Sequence, residues 1–178
     1  MCFGLTAAFA AATTHPASLL NGDFEDAQPG QPKLPAKWQQ DGAGPVYALD
    51  TNVKQRGRQS MHIAFKDGMN KEGYAGIIQT IDVRRFAGRR LKLSAYIRRS
   101  SEKLIAGIWA QTQDADKTKL NYQNSYDGPV GDINQWSKHN VIIDLPKSAA
   151  TLKLGAAGYE SDGEFWVDDI RLDDARKR

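Results

Sequence analysis

The sequence predicts an all-β fold, a sandwich or a barrel of antiparallel strands. Apolar and polar residues alternate in one short run after another, as from Leu91 to Arg98, and no stretch keeps a helical period over three turns. Glycine, proline, asparagine and aspartate separate these runs. Short alternating runs with turn residues between them are typical of β-sandwiches and β-barrels. There is no internal repeat and no sign of a second domain, so we expect one core enclosed by strands.

Four strands are predicted in the first half of the chain. They are Leu19 to Phe24, Val46 to Asp50, Gln59 to Phe65 and Tyr74 to Val83. The proline-rich segment Ala27 to Lys37 is predicted to be a loop, because proline lacks the N–H that a strand ladder needs. In the third of these strands Met61, Ile63 and Phe65 are expected to point into the core.

The second half has the clearest alternation and the last five predicted strands. They are Leu91 to Arg98, Leu104 to Gln113, Lys138 to Leu145, Thr151 to Tyr159 and Gly163 to Leu172. In the second of these, Ile108 falls inside and Trp109 and Gln111 fall outside. The segment Asn121 to Pro129 is rich in amides and tyrosines and poor in apolar residues, so we interpret it as a binding loop.

Length, composition and charge exclude several classes of protein. With 178 residues, 40% of them hydrophobic, the chain is long enough for one domain with a sizeable core. The formal charge of +3 is too small and too dispersed for a dedicated nucleic-acid surface. The single cysteine, Cys2, excludes an intrachain disulfide and a cysteine-rich zinc motif.

The N-terminal residues 1–18 are interpreted as a leader. Cys2 to Ala12 is a run of small apolar residues that ends in alanines, like the hydrophobic region and cleavage site of a secretory signal. The basic region that precedes such a signal is missing, and the run is too short to span a bilayer. Two interpretations stay open: secretion or export to the periplasm, and an alanine-rich terminus without a targeting role. The domain is then expected over residues 19–173, with a basic tail at 174–178.

Aromatic residues on an outward strand face indicate a ligand-binding surface. Trp109 lies on the outward face of its strand, and Tyr96 and Arg98 lie on the outward face of theirs. If the two strands are neighbours, these side chains form one patch with Gln111. The residues predicted to contact a ligand are Tyr96, Arg98, Trp109, Gln111, Tyr122 and Asn124. Such a patch suits a sugar, whose apolar face stacks on a ring and whose hydroxyls need hydrogen-bond partners.

Asp168 is the acid that the pattern singles out. In a strict period of two it shares one face of the last strand with Trp166, Ile170 and Leu172. A carboxylate among apolar side chains must be hydrogen-bonded, paired or bound to a cation. We therefore expect either backbone N–H donors from the N-terminal loop or a bound metal ion.

Several short motifs resemble galactose-binding-like jelly-roll domains in their order and spacing. They are Asn21 to Glu25, Pro35 to Trp38, Gly57 to Ser60, Gln79, Leu91 to Ile97 and Phe165 to Ile170. Among these domains the chain looks like the carbohydrate-binding modules of xylanases and related glycanases. It also resembles, at Gly107 to Gln111, Tyr122 to Val130 and Gln135-Trp136, a jelly-roll accessory domain of bacterial secreted peptidases and esterase-like hydrolases. The resemblance spans about residues 19–172 and implies an antiparallel jelly-roll sandwich.

The same resemblance implies a structural calcium ion where the first and last strands meet. The residues that it points to are Asp23, Glu25, Asp50 and Asp168. Calcium takes roughly 6 to 8 oxygen ligands and accepts carbonyls mixed with carboxylates. The sequence departs from the family pattern around Asp50 to Gln55, where the second acidic ligand is not well placed.

Catalysis has little support in the sequence. None of the histidines, His15, His62 and His139, belongs to a recognisable nucleophile motif. Asp168 and Asp169 are not a glycosidase pair, because neighbours on a strand point to opposite faces. The first hypothesis is a non-catalytic carbohydrate-binding module.

Two alternatives belong to other functional classes. A jelly-roll polysaccharide lyase would use Tyr96, Arg98 and Gln111 on one sheet face. A protein-interaction module would dock on a secreted hydrolase partner instead of a glycan.

Overall fold

The structure is a computed structural model that describes residues 19–65, 73–126, 132–159 and 163–175. The expected leader, residues 127–129 of the expected binding loop and residues 176–178 of the expected tail lie outside these ranges. The described residues contain twelve strands and one short 3-10 helix, Arg84–Phe86. None of the helical structure in these ranges is long and apolar enough to cross a membrane.

The strands account for most of the described chain. They are β1 (Ala27–Gln28), β2 (Gln31–Pro35), β3 (Gln39–Asp41), β4 (Val46–Asp50), β5 (Ser60–Phe65), β6 (Tyr74–Asp82), β7 (Arg90–Arg99), β8 (Ile105–Gln113), β9 (Lys119–Asn124), β10 (Ser137–Asp144), β11 (Thr151–Tyr159) and β12 (Gly163–Asp174).

Ten of these strands form two five-stranded sheets. The first sheet has the order β10-β7-β12-β5-β4 and the second has the order β3-β6-β11-β8-β9, while β1 and β2 pair with each other. The pairs within each sheet are antiparallel. The prediction of an antiparallel β-sandwich is therefore confirmed.

The core lies between the two sheets and follows the predicted alternation. Side chains with no accessible surface come from both layers: Met61, Ile63 and Leu93 from the first sheet, and Ile108 and Leu154 from the second. Every second residue of these strands faces the other sheet, as a period of two requires. The remaining residues of each strand therefore face outward.

The N-terminal segment differs from the prediction, since residues 19–24 do not form a strand. Asn21 and Phe24 have left-handed backbones, with φ of 51° and 58°. The Asn21 side chain accepts the N–H of Asp26 and donates to the carbonyl of Ala36. Such local side-chain bonds compete with a strand ladder. The N-terminal segment still reaches the last strand, because the N–H of Ile170 in β12 donates to the Gly22 carbonyl at 2.7 Å.

Two segments predicted to be loops contain strands. The proline-rich segment 27–37 holds the hairpin β1–β2, which turns at Gly30 with a φ of 76°. The amide-rich segment 121–129 begins inside β9, an edge strand of the second sheet. Edge strands tolerate proline and polar residues because one side of their ladder is unpaired.

A β-bulge interrupts β12 and changes which residues face the core. Asp169 has a φ of 54°, and the register with β7 shifts between Asp168 and Arg171. Val167 packs in the core before the bulge and Ile170 packs in the core after it. The expectation that Asp168 and Ile170 share one face is wrong, because the extra residue resets the period.

Candidate functional site

The structure separates the residues predicted to contact a ligand. Strand β7, which carries Tyr96 and Arg98, belongs to the first sheet, whereas β8, which carries Trp109 and Gln111, belongs to the second. Both pairs face outward, so they lie on opposite sides of the sandwich. The predicted common patch is therefore wrong: the chain crosses from one sheet to the other between β7 and β8. The arrangement of Tyr96, Arg98 and Gln111 that the lyase alternative needs is not assembled.

The outward surface of the second sheet carries most of the aromatic residues outside the core. We call it the aromatic face. Its cross-strand rows are Tyr74, Tyr159 and Ile105; Gly76, Ala157 and Gly107; Ile78, Gly155, Trp109 and Asn124; and Thr80, Lys153, Gln111 and Tyr122. The second row consists of small buried residues, and the rings of Trp109 and Tyr126 pack over it.

Three tyrosines pack together at one end of the aromatic face. The ring centroids of Tyr74 and Tyr159 are 5.2 Å apart, and Tyr126 meets Tyr159 edge to face at 4.9 Å. The Tyr126 ring lies against Gly107, where a Cβ would come within 2.8 Å of Tyr126 Cδ1, so this position requires glycine. The Tyr74 hydroxyl donates to Asp41 Oδ2 at 2.5 Å. Burial raises the pKa of both Tyr74 and Tyr126, so their hydroxyls stay protonated and can donate.

Trp109 lies beneath this surface instead of on it. It is 5% exposed and forms a small apolar cluster with Ile78 and Ala157. The Tyr122 ring stacks against it with centroids 6.0 Å apart, and Lys153 Nζ lies 5.7 Å from the Trp109 ring centroid. The predicted outward direction of Trp109 is confirmed, but its predicted exposure is wrong because neighbouring side chains cover the ring.

Tyr122 offers the accessible ring of the aromatic face. It is 38% exposed, and Lys119 Nζ lies 4.9 Å from its centroid. The partly exposed Gln111 is its cross-strand neighbour. Asn124 is exposed, and its Oδ1 accepts the N–H of Tyr126 at 3.0 Å. Tyr122, Gln111 and Asn124 were predicted as ligand contacts, and the structure brings these three together.

The aromatic face also contains four residues that were not among the predicted ligand contacts, namely Tyr74, Tyr126, Tyr159 and Lys153. The alternation of β11 already placed Tyr159 and Lys153 outward, because Leu152 and Leu154 point inward. What the sequence did not show is that β11 lies between β6 and β8 and so gathers these side chains.

On the opposite side of the sandwich, Arg98 belongs to a closed stack around Trp166. The His62 ring is parallel to Trp166 at 4.7 Å, and the Arg98 guanidinium lies 5.6 Å from the Trp166 centroid. The indole N–H donates to Asp50 Oδ2 at 2.9 Å. Trp166 is only 6% exposed, so this stack offers no open ring to a ligand.

The carboxylate of Asp168 holds the loop that follows β4. Its Oδ2 accepts the N–H groups of Gln55 and Arg56, both at 2.9 Å, and its Oδ1 accepts the N–H of Asp169 at 2.7 Å. Burial raises the pKa of Asp168, and the three N–H donors act against this shift. This geometry favours the hydrogen-bonded alternative, with donors from the loop after β4 instead of the N-terminal loop.

The other predicted calcium ligands do not converge on Asp168. Glu25 Oε1 accepts the N–H of Arg58 at 2.7 Å, and Asp50 Oδ1 accepts the N–H of Asn52 at 2.8 Å, while Asp23 is exposed. In the observed arrangement the Glu25 and Asp50 carboxylates hold backbone N–H donors of the loop after β4. In the described part of the chain, no three His, Cys, Asp or Glu side chains lie close enough to hold a metal ion. The residues do not fit calcium in this arrangement, and calcium binding stays an untested prediction.

His139 is buried between the sheets and supports the aromatic face from behind. Its Nδ1 lies 3.0 Å from Ser125 Oγ, and its Nε2 lies 3.1 Å from Ser137 Oγ. Ser125 Oγ also accepts the N–H of Ile108 at 3.0 Å. These bonds fix the residue that precedes Tyr126, so His139 has a structural role that its position at a strand start did not reveal.

Comparison with known sequences finds one relative of part of the chain and no matching family model. An uncharacterized HTH-type transcriptional regulator, YbfP of Bacillus subtilis (strain 168), is 24% identical over 97 residues, which cover 54% of this chain and 32% of that protein.

Solved structures match over most of this chain. The CBM22-1 xylan-binding domain from Paenibacillus barcinonensis Xyn10C has a TM-score of 0.59 at 11% identity, covering 88% of this chain and 93% of that chain. A CBM4 structure has a TM-score of 0.58 at 16% identity, covering 88% and 99%. The enzymatically active domain of bacteriophage CBA120 tailspike protein 4 has a TM-score of 0.63 at 15% identity, but this chain spans 21% of its length. The predicted jelly-roll sandwich of carbohydrate-binding modules is therefore confirmed as the fold.

Replacing Asp168 with Asn tests its role. The amide would turn an N–H group toward at least one of the three backbone donors, so we expect a loss of about 1 to 3 kcal/mol in the free energy of unfolding. Asp173→Asn, an exposed change on the same strand, should cost much less. Thermal melts of both variants and the parent, with millimolar calcium and with a chelator, measure both effects. If calcium raised the melting temperature of the parent and Asp168→Asn abolished that rise, the calcium site would be established instead.

The burial of His139 predicts a pH dependence of stability. Burial lowers the pKa of His139 in the folded state, and the nearby Arg99 charge adds to this effect. The unfolded chain therefore binds the proton more readily, so stability should fall as the pH drops below about 6.5. His139→Gln should flatten this slope, and His62→Gln controls for the loss of a histidine. Urea unfolding at a series of pH values measures the free energy of unfolding as a function of pH. If His139→Gln left the slope of this dependence unchanged, His139 would not be its cause.

Proposed function

We propose that the protein is a non-catalytic carbohydrate-binding module whose ligand lies on the aromatic face. The observation that carries this proposal is the Tyr122 ring, which is 38% exposed and lies beside the amide side chains of Gln111 and Asn124. A pyranose ring stacks its apolar face on such a tyrosine. The fold supports the proposal, because solved structures that share it include a xylan-binding domain.

The polar groups around Tyr122 suit the hydroxyl rim of a sugar. Gln111 and Asn124 offer amide groups on the same side. Each hydroxyl that leaves water must regain a partner, since an unmatched polar group is costly to bury. Ring and amides together therefore favour a sugar over a purely apolar ligand.

The carboxylates on the aromatic face favour binding over hydrolysis. Glycoside hydrolysis generally needs two carboxyl groups on either side of the scissile bond. In the described chain, Asp41 on this face is bonded to the Tyr74 hydroxyl and Asp82 is paired with Arg84. Neither is placed as a free acid or base beside Tyr122.

The proposal includes a cellular setting and a partner. A glycan-binding module is useful outside the cytoplasm, in keeping with the expected leader at residues 1–18. It would then direct a secreted hydrolase, on the same chain or a separate one, to its polymeric substrate.

Replacing Tyr122 with Ala tests the site. We expect glycan affinity to fall by about 1 to 3 kcal/mol, as for other stacked rings, and the melting temperature to fall less than for a core substitution, because Tyr122 is 38% exposed although it covers Trp109. Tyr96→Ala, on the opposite side of the sandwich, is the matched control and should leave affinity unchanged. A glycan array on the parent identifies the ligand, and calorimetry on the variants measures the loss.

Other outcomes of the same experiment would support the alternatives. An array without any bound sugar would favour the protein-interaction module. Formation of an unsaturated product, detected by ultraviolet absorbance on uronate polymers, would favour the lyase. If Tyr122→Ala and Tyr96→Ala lowered glycan affinity equally, the aromatic face would not be the binding site.

A further inference from the structure

Two lysines lie among the rings of the aromatic face. Lys153 projects from β11, the central strand, and its Nζ is 5.7 Å from the Trp109 ring centroid. Lys119 begins the edge strand β9, and its Nζ is 4.9 Å from the Tyr122 ring centroid. Because Trp109 and Tyr122 stack with centroids 6.0 Å apart, both ammonium groups lie beside one stacked pair of rings.

Neither lysine is neutralised by a nearby acid in the described chain. The ion pairs within 4 Å in these ranges involve other residues. Of the two carboxylates on the same face, Asp82 pairs with Arg84, and Asp41 lies on β3, at the opposite edge of the sheet from Tyr122. The surface around Tyr122 thus carries a local excess of positive charge, although the whole chain has a formal charge of only +3.

We infer that the glycan bound on the aromatic face carries carboxylate groups, that is, that it contains uronic acid residues. This inference rests on the proposed function. The carboxylate of a uronic acid projects from the rim of the pyranose ring, so a sugar stacked on Tyr122 presents it to the flanking Lys119 and Lys153. An ammonium–carboxylate hydrogen bond is stronger than one between neutral groups. A neutral sugar offers no such ionic partner.

Lys153 also has a structural role that the test must separate from this one. Its Nζ lies over the Trp109 ring, so the side chain contributes to the burial of that ring. Covering the ring does not require a charge. Lys153→Met keeps an unbranched apolar chain of similar length and removes only the ammonium group.

The test compares two matched ligands by calorimetry. One is a xylo-oligosaccharide that carries glucuronic acid, and the other is the same oligosaccharide with its carboxylate reduced to an alcohol. We expect the acid to bind the parent protein roughly tenfold more tightly at low salt, and this advantage to shrink as salt screens the charges. In Lys153→Met the ratio of the two affinities should fall toward one. Lys138→Met, on the opposite side of the sandwich, should leave the ratio unchanged.

Each outcome decides a separate point. Equal binding of the acid and the reduced ligand by the parent overturns the inference and leaves the proposed function standing. If neither ligand binds and an array of neutral and acidic glycans is also blank, the proposed function fails. If Lys153→Met has a much lower melting temperature, the parent protein alone still shows whether the acidic ligand is preferred. The evidence is then the affinity difference between the two ligands and its dependence on salt.

Discussion

The aromatic face depends on the bare outward positions of β11. This strand lies between β6 and β8 and points Leu152 and Leu154 into the core, while Gly155 and Ala157 occupy its outward side. Because those two residues are small, rings from both neighbouring strands approach each other across β11 without being pushed apart. The same alternation that buries the leucines therefore gives Trp109 and the tyrosines the space in which they pack together on the outward side.

The alternation of each strand could be predicted from the sequence, and the pairing of strands could not. Whether Ile108 points inward depends on its immediate neighbours in the chain, and that prediction is confirmed. Whether Tyr96 lies near Trp109 depends on which sheet each strand joins. The hydrophobic pattern of the sequence does not encode this choice. The bulge at Asp169 was equally hidden, because a single left-handed residue changes the period without changing the composition. The burial of Trp109 depends on side chains from three other strands, β6, β9 and β11.

The positions of the acids in the sequence are compatible both with a calcium site and with hydrogen bonds to backbone N–H groups. Carboxylates near both ends of the chain are consistent with a calcium site, and the family resemblance implies one. In the structure, Asp168, Glu25 and Asp50 each accept backbone N–H groups from residues 52–59, a stretch with little apolar content. Such a loop has few packing contacts to order it, so hydrogen bonds to carboxylates take their place. The acids that resemble metal ligands hold the loop against the sandwich.

NMR tests most directly whether a glycan binds on the aromatic face of the sandwich. Titrating an isotopically labelled protein with a xylo-oligosaccharide that carries glucuronic acid reports on each backbone amide in both sheets. We predict that the shifts are concentrated on β8, β9 and β11, around Gln111, Tyr122 and Lys153, with little change on β7 and β12. Shifts concentrated around Tyr96 and Arg98 instead, or no shifts anywhere at millimolar ligand, would contradict the account.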